Sequence, residues 1–449
     1  MFGLSIEKIA SICGGMLTGN ISDPGREPVS ISIDSRSIAP GDLFAAFKGE
    51  QTDGNAFIGK AFASGAAACI TDRFPKTENV GTIILVDDVQ KALETITSEF
   101  RRIIGIPIVG ITGSVGKTTA KEMIASVLGV KYSVLKTDRN YNNQLGVPLT
   151  LSRIQRDHDI AVVEMGISKI NDMDLLGELV RPETGVFTSI GKAHLEYLKD
   201  LDGVFREKTK MLNYMGDEAV AVVNGDDPML RKISFRGDVI RCGTDEQNDI
   251  KAENIKFTSD GRTVFNIAGS FTINDVVINS FGMHYVSDAL LSAAVGNRYG
   301  LSGDDIKEGI ATFKNIGRRG DIIRKNGFLI IDDSYNANPE SVRSAIDSML
   351  LLPGRHICIL GDMLELGQDE NALHYEIGRY AAEKGIEIMF TCGPLASKIN
   401  DGFGSGRHFD DKASLIGEIR DILREDDIVL IKASRGMRFE KISEAIKNM

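Results

Sequence analysis

The sequence contains few cysteines, no long apolar run and no excess of positive charge. The cysteines are dispersed, without any Cys-x-x-Cys pair, at Cys13, Cys69, Cys242, Cys358 and Cys392. This usage argues against a disulfide scaffold and indicates reduced structural thiols in a reducing compartment. No segment approaches the roughly 18 consecutive apolar residues that a membrane-spanning helix needs, so membrane insertion is not expected.

Net charge and length further limit the class of protein to which this chain can belong. The 449 residues carry a formal net charge of −11, which argues against nucleic acid as the main partner. Hydrophobic residues make up 42% and charged residues 26%, as in soluble globular proteins, and the length suggests about two to four domains. The first residues include Glu7 and lack a basic-then-apolar leader, which favours a cytoplasmic location.

The chain alternates predicted strands with predicted helices. In the first hundred residues, the segment 31–36 alternates like a strand, and 89–102 is a predicted connecting helix before residue 106. Short β-branched runs that predict buried parallel strands follow at 159–164, 185–190 and 219–224. The more polar stretch 249–280 predicts a hairpin with its turn at Asp260-Gly261, and 287–299 predicts a helix.

A third unit begins after the arginine-rich segment 317–320. Its predicted strands are 328–333, 356–361, 387–391 and 428–432. Helical stretches separate them, and this alternation is typical of a doubly wound α/β domain. We therefore predict an α/β protein of several domains.

A glycine-rich segment from Gly110 to Thr119 lies between a predicted strand and a predicted helix. In such a turn, backbone N–H groups converge on an anion and the helix start adds positive potential, so it cradles phosphate. We expect Lys117 to reach the β and γ phosphates and the Thr118 hydroxyl to ligate Mg²⁺. Ile111 stands where the strict P-loop pattern has glycine, which leaves a non-binding turn as the alternative. The predicted phosphate-binding residues are Gly113, Ser114, Gly116, Lys117, Thr118 and Thr119.

Polar residues follow several predicted strands, where ligands of open α/β sheets bind. Glu164 ends one strand and could complete a Mg²⁺ shell with Thr118, since Mg²⁺ prefers oxygen ligands; the alternative is a surface or capping carboxylate. His194 follows the next strand and could be structural or solvated instead. Lys208 would pass for a residue of a solvated helix face. Asn338 can cap a helix that starts at Pro339, but capping does not explain Asp332, Asp333 and Asn336.

The combination of these segments resembles the Mur ligases, which build the peptidoglycan precursor. The resemblance covers essentially the whole chain. The most discriminating segments are 333–339, Asp-Ser-Tyr-Asn-Ala-Asn-Pro, and 361–367, Gly-Asp-Met-Leu-Glu-Leu-Gly. The segments 34–36 and 41–49 are similar to the uridine-nucleotide-binding domain of the family, and the glycine spacing 110, 113 and 116 is the family's form of the P-loop.

The resemblance implies three domains. These are a small mixed α/β domain at 1–100 for the UDP-sugar, a central P-loop ATPase domain at 101–316 with a mainly parallel sheet, and a Rossmann-like domain at 317–449 that closes over ATP and a dipeptide. It implies a cytoplasmic enzyme and a monomer. ATP and Mg²⁺ are the implied cofactors.

The resemblance also implies roles for individual residues. The Mg²⁺ ligands would be Thr118, Glu164, His194 and a carbamylated Lys208. Asp288, Arg318 and Asp333 would contact the nucleotide, and Lys192 or His194 would join Lys117 in neutralising charge during catalysis. The implied substrate-binding residues are Ser35, Arg36, Asp53, Gly54, Asn336, Asn338, Lys432, Ser434 and Arg435.

The chain departs from the family pattern at a few positions. The adenine-side motif of the family usually reads Gly-x-His-Asn-x-x-Asn-Ala-Leu, whereas this chain has Tyr285 and Asp288 at the two asparagine positions. Replacing an amide by a carboxylate removes two donors. Asn55 stands where histidine is common, and Ala433 replaces a glycine.

The implied reaction is ATP-driven amide formation. D-Alanyl-D-alanine would be joined to the terminal carboxylate of UDP-N-acetylmuramoyl-tripeptide through an acyl phosphate. The alternatives are a sibling ligase, either another Mur-type enzyme or one of the folylpolyglutamate synthase type, and a P-loop switch ATPase that acts on a partner protein.

Overall fold

A computed structural model describes residues 1–49, 52–74, 81–258, 261–315 and 317–448. Over these residues the chain forms three sheets, each covered by helices, in three successive regions of the sequence. The predicted α/β class with three sheet-containing parts is thereby confirmed. None of the helices in these ranges is both long and apolar enough to cross a lipid bilayer.

The N-terminal region is a small mixed α/β unit. Its sheet has the order β1-β5-β4-β3-β2, and β1 is the antiparallel edge strand. The elements are α1 Ile6–Ile12, β1 Met16–Gly19, β2 Ile31–Ser32, β3 Leu43–Ala45, α2 Ile58–Ala63, β4 Ala68–Thr71, β5 Thr82–Leu85 and α3 Val89–Ile103. The apolar face of α3 recurs at helical spacing and joins a core shared with the central region, so the two regions pack as one body.

The central region contains the longest sheet among the described residues. Its strands are β6 Ile108–Thr112, β7 Val134–Lys136, β8 Ile160–Glu164, β9 Thr184–Phe187, β10 Val220–Asn224, β11 Asp238–Gly243, β12 Ile250–Phe257, β13 Thr263–Gly269 and β14 Ile273–Ile278. Its helices are α4 Lys117–Leu128, α5 Gly146–Ser152, α6 Asp172–Val180, α7 Leu195–Leu198, α8 Leu201–Thr209, α9 Met283–Arg298 and α10 Gly303–Thr312.

The order of the central sheet places β6 between β8 and β9. The full order is β14-β13-β12-β11-β10-β9-β6-β8-β7, parallel from β7 to β12 and antiparallel from β12 to β14. Helices α4 and α9 pack on one face with a core of their own. Because parallel strands end at the same edge, the residues after β6, β8, β9 and β10 converge there.

The C-terminal region is a doubly wound sheet. Its strands are β15 Asp321–Lys325, β16 Phe328–Asp332, β17 Arg355–Gly361, β18 Ile388–Cys392, β19 Arg407–Phe409 and β20 Asp427–Lys432, in the order β15-β16-β20-β17-β18-β19. Its helices are α11 Pro339–Met349, α12 Glu370–Glu383, α13 Ala396–Phe403, α14 Lys412–Ile422 and α15 Glu440–Lys447. Apolar cores cover both faces of the sheet, which explains its continuous apolar strands.

Some local expectations were wrong in their bounds. The strand expected at 31–36 ends at Ser32, because the Asp34 carboxylate accepts hydrogen bonds from the backbone and side chain of Arg36 and turns the chain. The expected hairpin at 249–280 is part of a three-stranded antiparallel sheet section, and Asp260 of its turn lies outside the described residues. The helix expected from residue 287 begins at Met283. The edge strand β15 is antiparallel and was not expected. The domain boundaries at 100 and 316 stay predictions.

Candidate functional site

The glycine-rich turn joins β6 to α4 with its backbone close to the end of β9. Gly116 caps α4 with a φ of 88°, a left-handed conformation that favours glycine. At Gly113 a Cβ atom would lie 1.9 Å from the Thr188 hydroxyl, so no side chain fits there. The Lys117 ammonium donates to the Gly113 carbonyl at 2.6 Å and therefore lies folded over the turn. This is the strand–turn–helix arrangement that binds phosphate.

A carboxylate at the end of β8 faces the first turn of α4. The Thr118 hydroxyl donates to Oε2 of Glu164 at 3.0 Å, and the Asn142 amide donates to Oε1 at 2.8 Å. Glu164 is 2% exposed. A hydroxyl and a carboxylate held this close form two adjacent oxygen ligands, which fits a Mg²⁺ ion bound beside phosphate.

Lys208 and His194 lie close enough to Lys117 to interact with it electrostatically. Burial and the positive charge of Lys117 lower the pKa of the Lys208 amine well below its usual range. Burial, followed by the charges of Lys208 and Lys117, lowers the pKa of His194 as well. His194 has a φ of 54°, and its Nδ1 lies 3.5 Å from Oε2 of Glu365 in the C-terminal region. Among the described residues, no three His, Cys, Asp or Glu side chains cluster as a metal site, so a Mg²⁺ shell here would need ligands from other residue types as well.

The loop after β16 approaches the same place from the C-terminal region. Lys432, at the end of β20, donates to the Asp333 carboxylate at 2.5 Å and to the Asn336 carbonyl at 2.9 Å. Burial raises the pKa of Asp333, and the Lys432 ammonium opposes that rise. Asn338 caps α11 by accepting from the Ser341 N–H, with Pro339 as the first helical residue, as its sequence predicts.

A cavity of about 270 Å³ lies between the P-loop and this C-terminal loop. Ten of the predicted residues line it, namely Ser114, Gly116, Lys117, Thr118, Thr119, Glu164, Asp333, Asn336, Asn338 and Lys432. A second cavity of about 380 Å³ adjoins it at Val115 and Gly116 and is lined by Asp288. The structure thus brings the P-loop, the Mg²⁺ candidates Thr118 and Glu164 and the C-terminal motif together in one cleft, whereas His194 and Lys208 line neither cavity.

Several residues that line the cleft were not predicted. In the first cavity they include Arg139, Asn140, Asn142, His284, Arg319 and Tyr335. In the second they include Thr188 and Glu340. Asn224 and Asp227 also line the second cavity, and they belong to the polar stretch at the end of β10, where the strand-end rule places ligand contacts. Arg139 and Asn142 precede α5 in a loop that carries no recognised pattern.

The neighbouring side chains of Arg318 and Arg319 make different contacts. The Arg318 guanidinium pairs with Glu444 of α15 at 2.5 Å, and Arg318 does not line either cavity. The Arg319 guanidinium lies 3.9 Å from the centroid of the Tyr335 ring and lines the first cavity. The nucleotide contact predicted for Arg318 stays a prediction, and Arg319 is the neighbouring arginine that the cleft contains.

The residues expected to bind the UDP-sugar form a separate group in the N-terminal region. Ser35 is buried, and Arg36 is 80% exposed and forms a bidentate pair with Asp34. The Asp53 carboxylate accepts from the Asn55 N–H and amide. Gly54 lies so close to Phe47 that a Cβ would be 2.7 Å from its carbonyl oxygen.

Two predicted residues at the C-terminal sheet edge have structural contacts. The Ser434 hydroxyl accepts from the Leu364 N–H, which ties the end of β20 to the loop after β17. Arg435 lies over Tyr335 with its guanidinium 5.5 Å from the ring centroid.

Lys192 lies at the junction of the central and C-terminal regions, since its N–H donates to the Glu340 carboxylate at 2.9 Å.

Comparison with known proteins identifies the family of the chain. Three family descriptions match: "Mur ligase family, catalytic domain" at residues 29–102, "Mur ligase middle domain" at 111–296 and "Mur ligase, glutamate ligase domain" at 318–435. The UDP-N-acetylmuramoyl-tripeptide–D-alanyl-D-alanine ligase of Bacillus subtilis (strain 168) is 34% identical over 440 residues, which cover 95% of each chain.

Solved structures agree with this match over nearly the full length. A crystal structure of MurF from Acinetobacter baumannii superposes with a TM-score of 0.88 at 27% identity and covers 99% of both chains. MurF ligase from Thermotoga maritima, in complex with ADP, superposes with a TM-score of 0.83 at 28% identity and covers 93% of this chain and 97% of that one. The chain therefore belongs to the Mur ligase family and is an ATP-dependent carbon–nitrogen ligase.

Proposed function

We propose that this enzyme joins D-alanyl-D-alanine to UDP-N-acetylmuramoyl-tripeptide, with cleavage of ATP to ADP and phosphate, to make the pentapeptide precursor of peptidoglycan. The observation that carries the proposal is the cleft in which the P-loop faces the 333–338 segment of the C-terminal region. Curated relatives that match essentially full length are named for this reaction.

The charges of the cleft suit ATP. Lys117, Arg139, Arg319 and Lys432 line the first cavity, which therefore takes the phosphates. The second cavity has no lysine or arginine among its lining residues in the described part of the chain and takes the uncharged nucleoside. Phosphoryl transfer depends mainly on positioning and charge neutralisation, and this division supplies both.

The residues at the P-loop would hold Mg²⁺ through Thr118 and Glu164. His194 and Lys208 complete the proposed set, with Lys208 as a carbamate. When bound, the ion would polarise the γ phosphate and neutralise charge that develops on it. The lowered pKa of Lys208 supports carbamylation, because the uncharged amine is the form that adds CO₂. A carbamate also replaces a repelling ammonium by an anionic oxygen ligand.

The reaction would proceed in two steps. A tripeptide carboxylate oxygen attacks the γ phosphorus of ATP, the bond to ADP breaks, and an acyl phosphate forms. The dipeptide amine then attacks the acyl carbon, loses a proton, and phosphate leaves as the amide forms. Lys117, aided by Lys192 or His194, would neutralise the negative charge that develops in the first step.

Domain closure would protect the acyl phosphate. The Glu340 carboxylate accepts from the Lys192 N–H, and Glu365 approaches His194, so both contacts connect the C-terminal region to the central one. Closure of such a cleft excludes water, which would otherwise hydrolyse the intermediate.

The remaining proposals concern the setting of the reaction. We propose that residues 1–100 bind the UDP-sugar through Ser35, Arg36, Asp53 and Gly54, that residues 101–316 bind ATP, and that residues 317–449 close over ATP and the dipeptide. Since one chain supplies all these groups, we propose a monomer. The net charge of −11 supports small-molecule rather than nucleic-acid partners, and the dispersed free cysteines support a cytoplasmic setting.

Phosphate release tests the function. It is measured with ATP, Mg²⁺ and UDP-N-acetylmuramoyl-tripeptide, with and without D-alanyl-D-alanine. We expect release that depends on the dipeptide and a product heavier by the dipeptide less one water. Dependence on a single amino acid instead would indicate a sibling ligase, and release that ignores both substrates would indicate a switch ATPase.

The Lys208 carbamate has its own test. After incubation with ¹³C-bicarbonate, we expect a carbamate carbon signal that disappears in the Lys208→Ala variant. Short-chain carboxylic acids are expected to restore part of the activity of that variant. Full activity of Lys208→Ala in the absence of CO₂ and added acid would contradict this ligand set.

A further inference from the structure

The nucleoside-side cavity contains a buried carboxyl group without a partner. Asp288, in the second turn of α9, is 4% exposed, and its Oδ2 atom has no hydrogen-bond partner among the described residues. Its Oδ1 would lie 3.4 Å from a Cβ placed on Gly116, so the group is next to the P-loop. An unpaired buried polar atom is costly, and one that lines a cavity indicates a ligand that completes its hydrogen bonds.

The groups around Asp288 offer no compensating positive charge. On its own helix, the pKa of His284 is lowered to about 4 by burial and by the charge of Lys432, so this imidazole is neutral at pH 7. Tyr285, on the same helix, has its pKa raised well above the usual value by burial and by nearby carboxylates. Burial likewise raises the pKa of Asp288 well above its usual range.

The other elements around the cavity bring more carboxylates. Asp226 and Asp227 follow β10, and both accept backbone N–H bonds. Glu340, on α11, accepts from the Lys192 N–H. Lys117, at the start of α4, folds over the P-loop toward the Gly113 carbonyl and lines the phosphate-side cavity instead. No lysine or arginine of the described residues lines the cavity that Asp288 faces.

We propose that Asp288 binds the adenine base of ATP as an uncharged carboxylic acid, so that the affinity for the nucleotide falls as the pH rises. This inference rests on the proposed function, because it requires that the cavity takes the nucleoside of ATP. An uncharged carboxylic acid has one O–H donor and one carbonyl acceptor, as a side-chain amide also has. Ionisation leaves acceptors only.

The O–H donor and the carbonyl acceptor of the uncharged Asp288 side chain complement adenine but not a 6-oxopurine. Adenine presents an acceptor at N7 beside a donor at its 6-amino group, whereas guanine presents acceptors at both positions. Hypoxanthine also has an oxygen at position 6. The acid form of Asp288 complements adenine at both atoms, and its carbonyl oxygen faces another oxygen in the 6-oxopurines. Asp288 is therefore a specificity-determining residue as well as a pH-sensitive one.

ADP affinity measured by calorimetry between pH 7 and 9.5, at constant Mg²⁺, tests the proposal. Since only the protonated form binds adenine at both atoms, wild-type affinity is expected to fall by up to about tenfold per pH unit above the pKa of Asp288. Asp288→Asn, which keeps a donor and an acceptor and cannot ionise, is expected to show an affinity that does not change over this range. Lys131→Met, at a residue that lines neither cavity and donates to the Gly300 carbonyl, is expected to show the wild-type fall.

The unmodified enzyme provides a second measurement that does not depend on a folded variant. ADP is expected to bind about tenfold or more tightly than inosine diphosphate at pH 7, and this ratio is expected to shrink as the pH rises. A pH-independent ratio, or a wild-type profile parallel to that of Asp288→Asn, would overturn the proposal. If wild type binds neither nucleotide at pH 7, the proposed function itself fails, which is a different outcome.

Discussion

The two cavities that meet at Gly116 differ in their charge. The phosphate-side cavity has four cationic side chains, Lys117, Arg139, Arg319 and Lys432, whereas the nucleoside-side cavity has carboxyl groups and no lysine or arginine among its described lining residues. The first also has the Thr118 and Glu164 oxygens. Under the proposed function, this difference would place the phosphates of ATP against the cationic side chains and its uncharged base in the cavity without lysine or arginine.

The largest effect is expected from removing the P-loop cation. Lys117→Met keeps an apolar stem of similar length and removes the charge that lies over the phosphate cradle. We expect a loss of about 10²- to 10³-fold in dipeptide-dependent phosphate release, because charge that develops in the transition state is no longer neutralised. ADP binding by calorimetry is expected to weaken as well.

Lys131→Met is the control, since Lys131 follows the C-terminal end of α4 and donates to the Gly300 carbonyl. It is expected to keep wild-type rates. If Lys117→Met binds ADP as tightly as wild type, the phosphates do not lie in this cavity. The difference in charge between the two cavities would then not explain how ATP binds.

The next effect concerns the oxygen ligands of the phosphate-side cavity. Asn142→Ala removes the amide that donates to Oε1 of Glu164 and orients that carboxylate. Loss of such a supporting contact typically costs about 10- to 100-fold in metal affinity or activity. We expect the Mg²⁺ concentration for half-maximal phosphate release to rise accordingly, which a Mg²⁺ titration at saturating ATP measures.

Asn143→Asp serves as the control in the neighbouring position. The Asn143 side-chain oxygen accepts from the Leu145 and Gly146 N–H groups, and aspartate keeps that oxygen. An Asn142→Ala variant with the wild-type Mg²⁺ dependence would show that Glu164 does not hold the ion.

A smaller effect, on the KM for ATP, is expected to distinguish the roles of two adjacent arginines. Arg319→Ala removes a cation of the phosphate-side cavity, and we expect the KM for ATP to rise about tenfold. Arg318→Ala removes a partly exposed pair with Glu444, and such pairs contribute little, so the KM for ATP is expected to stay close to that of wild type. Steady-state kinetics with varied ATP measures both. The reverse order of effects would place Arg318 at the nucleotide.

The adjacent arginines also show which features of the site could not be predicted from the sequence. The P-loop was predictable because strand, turn and helix follow one another in the chain, and the Glu164 position was predictable because parallel strands end at one edge. Which of two neighbouring arginines faces the cleft depends on the loop between the central and C-terminal sheets, and no local pattern specifies that loop. The role of Asn142 could not be predicted from the sequence either, because only the folded chain places its amide against Glu164.

The environment of Asp288 could not be read from the sequence either. The substitution at this position is visible as a departure from the family pattern, and a carboxylate there suggests added charge. The structure buries the group beside a neutral histidine, in a cavity that no lysine or arginine of the described residues lines, and this burial favours the uncharged form. The chemical consequence of the substitution therefore reverses once its surroundings are known.

The smallest effect is expected at the carboxylate that connects the two regions. Glu340 uses one oxygen to accept from the Lys192 N–H, and its other oxygen has no partner among the described residues. Glu340→Gln keeps an acceptor for Lys192 and removes charge only from the cavity that faces the neutral nucleoside, so we expect the KM for ATP to change by less than about threefold. Glu340→Ala removes the acceptor and is expected to raise this KM by up to about tenfold, because a hydrogen bond that holds the closed cleft is lost. Kinetics at varied ATP compare the two variants. A larger rise in the KM for ATP in Glu340→Gln than in Glu340→Ala would mean that the negative charge of Glu340 itself contacts the ligand. The cavity would then not be a site for an uncharged group.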